Sequence, residues 1–224
     1  MADVCESYGY ALAIQDAVPV IAAAIGYTFL HRRVKDAVPA AALPVAIAGI
    51  LLVVGSFNAG VLRKLLIAGS ESQECFLFLQ RPFFSVLAPA FAILMWGAWC
   101  VMAGRKISFW PFFVLLALGV VGAVATNDNL PLLATGGLWA VGLAVIGGII
   151  SKRQGDTISV VLYSVYAIGV LSLPGLGNRE NVSEVANQWT AQGVNTVSQI
   201  CFAFACYRLW TIHQRRTALT TVEN

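Results

Sequence analysis

Residues 8–30 read YGYALAIQDAVPVIAAAIGYTFL and are followed by HRRVKDAV at 31–38. If a helix began only after Asp16, just Ala17 to Leu30 would remain, about 21 Å at the α-helical rise. A hydrocarbon core of about 30 Å needs roughly 20 apolar residues. The helix is therefore expected to start near Tyr8, which puts Asp16 about 12 Å inside it. Arg32, Arg33 and Lys35 follow the apolar run and no cation precedes it. A cleaved signal peptide has the opposite layout.

The rest of the chain repeats this pattern. Hydrophobic residues make up 58% of the 224 positions and charged residues 11%, against about 25% charge in a soluble domain. So little charge cannot cover a water-facing globule, and it excludes a disordered chain or a nucleic-acid module. Seven segments qualify as spans: approximately 8–30, 39–62, 82–103, 107–126, 131–151, 157–176 and 185–207. Most connections are short: 31–38, 104–106, 127–130, 152–156 and 177–184. The longer stretch 63–81 reads as a helix continuing past the membrane over 63–69, then an apolar stretch at the interface over 75–79. The expected fold is an all-α integral membrane bundle of seven transmembrane helices, a single transmembrane domain over 1–224.

Basic residues set the orientation. With the N-terminus outside, ten Lys and Arg face the cytoplasm: Arg32, Arg33, Lys35, Arg105, Lys106, Lys152, Arg153, Arg208, Arg215 and Arg216. Four face outward: Arg63, Lys64, Arg81 and Arg179. The C-terminus is then cytoplasmic, and the membrane is a plasma or bacterial inner membrane. Of the acidic residues, only Asp36, Asp156 and Glu223 are inside. The acidic outer face would attract cations, or it simply reflects where cations were excluded.

Two constellations carry the functional reading. Asp16, beside Gln15 and three residues before Pro19, is an intramembrane carboxylate and hence a functional candidate; the alternative is a structural group paired with another helix. In the seventh span Glu184, Gln188, Gln192, Asn195 and Gln199 recur at helical spacing within an arc of about 80°. They either line a wet cavity or join helices by hydrogen bonds. Glu184 also completes a capping-box pattern with Asn181. Asn58, between Gly55 and Gly60, could face the same cavity or bond a neighbouring helix. Arg63 and Lys64 are expected to snorkel to headgroups, although one of Arg63, Lys64 and Arg81 could pair with Asp16 or Glu184. Trp139, in mid-span, either packs the core or walls a pocket.

Cys5 and Cys75 both fall outside, where an oxidising environment permits a disulfide. Cys100, Cys201 and Cys206 read as small packing residues. No His/Asp/Glu cluster offers a metal cage, and no nucleotide-binding loop or G-x-S-x-G motif occurs. No cofactor is expected, and an enzyme is disfavoured. The layout resembles rhodopsins and seven-helix receptors, but no lysine lies in a span to hold retinal. Asp16-x-x-Pro19 and Asp128-x-x-Pro131 suggest a faint internal repeat.

The expected function is gradient-driven transport or permeation of a small solute or cation through an outward-facing polar cavity. The alternative is a ligand-binding sensor or an accessory subunit of a larger membrane complex, without transport. The expected partners are the lipid bilayer, the solute or cation, and a membrane protein or second copy of the chain; nucleic acid is not among them.

Overall fold

The computed structural model describes residues 9–70, 76–177 and 185–222, and among them every element is helical. We number seven helices: α1 Tyr10–Ala37, α2 Pro39–Gly69, α3 Leu77–Ala103, α4 Trp110–Thr126, α5 Leu130–Arg153, α6 Thr157–Gly177 and α7 Val185–Val222. Four of them, α1, α2, α3 and α5, are long and apolar enough to cross a membrane. α4 and the Thr157–Leu173 part of α6 are apolar but shorter.

Seven apolar segments become seven helices, with differences at their ends. The expected connection 31–38 is helical through Ala37 and breaks only at Val38, where φ is −145° and ψ 78°. The cause is Pro39, whose ring drives the preceding residue out of the helical region. The extension 63–69 is helical as expected. Leu77 to Leu79, read as an interfacial stretch, form the first turn of α3. α7 runs 38 residues, about 57 Å, well past the expected end at 207.

α1, α2, α3, α5, α6 and α7 pack in a closed ring, each against the next and α7 back onto α1. α4 stands outside this ring, against α5 and α3. Its position explains its composition: Phe113, Val114, Leu118, Val120, Val121 and Val124 are exposed. On α1, Ile14, Val18, Ile21 and Ile25 form an exposed apolar stripe at helical spacing, while Asp16, Ala23, Tyr27, Leu30 and Val34 turn inward. Apolar outside and polar inside is the arrangement lipid favours.

The ring is closed across its middle by aromatic side chains. Phe202 of α7 packs edge-on to Tyr27 of α1 at 5.5 Å and tilted against Tyr166 of α6 at 4.8 Å. Tyr27 also meets Phe91 of α3. Gly26 makes room for this plug, since a Cβ there would lie 2.5 Å from the Phe202 ring.

The start of α6 is tied to α7 by polar contacts. Asp156 starts α6, its Oδ1 accepting the Ser159 amide and its Oδ2 the Ser159 hydroxyl. It also receives Arg208 of α7 through Nη2 at 2.8 Å and Nε at 3.2 Å. Burial raises the Asp156 pKa, but the Arg208 and Ser159 hydrogen bonds outweigh it and hold the carboxyl below its usual range. At the start of α5, Asp128 Oδ1 accepts the Leu130 amide, so Asp128 caps this helix and Asn129 makes no side-chain cap. Asp128 is exposed before a helix and Asp16 is buried within one, so the two Asp-x-x-Pro sites are not equivalent.

Candidate functional site

Asp16 is 4% exposed. Its partner is Lys64, whose Nζ lies 2.7 Å from Oδ2. Lys64 is buried too, which corrects the expectation that it reaches out to headgroups.

The helix between explains why Lys64 turns inward. The buried stripe of α2 runs Ala41, Val45, Ala48 and Leu52. Continued at about 100° per residue, it would bring Arg63 to the ring and leave Lys64 well to one side. Residues Phe57–Leu62 instead form a π-helix. A π turn accommodates an extra residue and rotates the helix beyond it by about one residue step. The buried positions past the turn are accordingly Val61, Lys64 and Ile67.

Gly60 lets the carboxylate approach α2: inside the π stretch, it has no side chain where a Cβ would lie 3.3 Å from Asp16 Oδ2. Pro19 has no N–H to offer the Gln15 carbonyl four residues back, so that oxygen lacks the regular i+4 helical bond.

α7 supplies the third wall. Gln15 Nε2 donates to Thr196 Oγ1 at 3.2 Å. Gln192, one turn away from Thr196, has its side chain at the Asp16 carboxylate. The Oε1 atoms of Gln192 and Gln199 are buried and make no hydrogen bond among the described residues. Buried amide oxygens without partners are costly in an apolar setting. Gln188, Gln192, Asn195 and Gln199 are all half-buried, as is Asn58 in the π stretch.

The structure thus brings together Asp16, Gln15 and Gln192, all expected from the sequence, and adds Lys64, Gly60 and Thr196. Gln199 lies about two turns from Gln192 towards the aromatic plug. Neither the groove of about 330 Å³ between α1 and α2 nor a small pocket beside Arg33 is lined by any of these polar residues. Trp139 is a core residue, packed against Phe112 of α4 at 5.4 Å. Glu184, Cys5 and Cys75 lie outside the described residues. Cys100 and Cys206 are buried free thiols and Cys201 is half-buried. Among the described residues no cluster of three His, Cys, Asp or Glu could hold a metal ion. No protein-family model, curated protein or solved structure matches the chain.

Proposed function

We propose that the chain is a seven-span carrier for a small solute or cation, driven by an ion or proton gradient, with its N-terminus outside and C-terminus cytoplasmic. The observation that carries this reading is the Asp16–Lys64 pair, buried between apolar helices and faced by side-chain amides. Burying two charges costs several kcal/mol per ion before their attraction repays it, roughly. An apolar pair would hold α1 to α2 without that cost.

The pair supplies two states. With Lys64 on Asp16 the site is neutral and closed. A proton or cation arriving at Asp16 takes over the role of counter-charge and frees the Lys64 ammonium. The Gln15 carbonyl and the Gln192 amide oxygen are oxygen donors of the kind a dehydrated cation needs. The Tyr27–Phe202 plug lies about 16 Å along α1 from Asp16, on the inner side in this orientation. A buried site backed on that side by packed rings fits a gated carrier better than an open pore.

A second reading draws on α7. Its amides are only half-buried, beside exposed Trp189 and Val197, and a partner helix could satisfy them. The chain would then be an accessory subunit or sensor. Native mass spectrometry in mild detergent, comparing wild type with Asp16→Asn, separates the two. A small co-purifying mass lost in Asp16→Asn is expected for a carrier. A protein partner retained by both, with no small ligand, favours the second reading.

A further inference from the structure

Arg33 is the one basic residue of the Arg32, Arg33, Lys35 cluster that turns into the bundle. It is 7% exposed, and its Nε and Nη1 are buried without a hydrogen-bond partner among the described residues. A guanidinium stays charged in any protein environment, and a buried charge requires a counter-charge. No ion pair to Arg33 is seen among the described residues. Asp36, exposed one turn on, acts on the Arg33 charge from a distance and accepts hydrogen bonds from Trp210 Nε1 at 3.1 Å and Gln214 Nε2 at 2.6 Å. Asp156 is held by Arg208.

A pocket of about 10 Å³ lies against Arg33, lined otherwise by Leu30, Ala98, Leu143, Tyr163 and Leu209 among other apolar groups. It has room for one water-sized atom. A buried water wants two to four polar partners, roughly, and would leave the guanidinium charge uncompensated. Arg33 offers N–H donors only, and the Tyr163 hydroxyl is within hydrogen-bond distance of Cys206 Sγ. Donors, a positive charge and apolar walls around a single-atom space suit a weakly hydrated anion.

We propose that this pocket binds one small inorganic anion, with chloride as the natural occupant, held by Arg33 at the inner end of the ring. The site is separate from Asp16 and stands whether or not the chain transports anything.

The test is equilibrium binding of radiolabelled chloride to the purified full chain in detergent, with gluconate balancing ionic strength and bromide as competitor. Wild type is expected to bind saturably, one ion per chain, with bromide displacing it. Arg33→Met should abolish binding, and Arg33→Lys should weaken it by about tenfold or more, because an ammonium does not reproduce the guanidinium fork. Arg32→Met should retain it, since Arg32 is exposed and stacks over Phe29 and Trp210. Absence of saturable binding in wild type overturns the proposal, as does binding that survives in Arg33→Met. If Arg33→Met does not fold, unchanged affinity in Arg33→Lys overturns it equally.

Discussion

Lys64 Nζ and Asp16 Oδ2 lie 2.7 Å apart, with side chains only 8% and 6% exposed. Lys64 supplies the counter-charge that the buried Asp16 needs, so removing Lys64 strands the carboxylate. Lys64→Met or Asp16→Asn alone is expected to destabilise the protein by about 3–5 kcal/mol. The double variant should cost clearly less than the sum. Chemical unfolding of the four proteins in detergent completes the cycle, and strict additivity would mean that the pair is not coupled.

The π turn makes a second, independent prediction. Deleting Ala59 from Phe57–Leu62 removes the extra residue and should restore regular α-helix with Lys64 in the register that a regular helix gives to Arg63, still facing Asp16. The deletion should keep the Asp16–Lys64 coupling while the far-UV circular dichroism stays helical. Loss of that coupling in a folded deletion variant would show that the π stretch does not act as a one-residue insertion.

Asp156 anchors the start of α6 to α7. Asp156→Ala removes a helix cap and should cost about 1–2 kcal/mol. Arg208→Gln should cost less, because the Arg208 side chain is 35% exposed and half-solvated ion pairs contribute little. The Asp156 carboxyl titrates below its usual range in the fold. Its contribution is therefore present above the ordinary aspartate value of about 3.9 and lost as pH falls through the lower folded value. Thermal midpoints should fall more steeply in wild type than in Asp156→Asn below that value.

His213 gives a test nearer neutrality. Burial, then the Arg33 charge, lower its pKa, and Asp36 opposes them. The folded state thus holds the neutral ring. Stability should be greatest above the unfolded value of about 6.5 and decline as pH falls below it, where the unfolded chain gains the proton first. His213→Gln should flatten this decline between pH 7 and 5. An equal slope in both proteins would contradict the assignment.

Much of the fold was legible because long apolar helices leave a strong hydropathy signal. The seven segments survive with shifts at their ends, and the depth of Asp16 came from counting residues back from Leu30. Lys64 was one of three cations that the sequence offered to Asp16, and which of Arg63, Lys64 and Arg81 pairs with it was not legible. Extrapolating α2 as a regular helix brings Arg63 inward, and nothing in Phe57–Leu62 announces a π turn. The inward turn of Arg33 was hidden in the same way, since a cluster of three cations after a span reads as an orientation signal. α4 reads like any other span, and only the packing shows that it stands outside the ring.

The central claim is that Asp16 exchanges Lys64 for a transported proton or cation. Its most direct test is charge movement in proteoliposomes on a solid-supported membrane, after jumps in H⁺, Na⁺, K⁺ and a panel of small organic cations and zwitterions. Wild type is expected to give a transient current for at least one of these, abolished in folded Asp16→Asn. Currents equal to those of protein-free liposomes across the panel, or currents unchanged in Asp16→Asn, would contradict it.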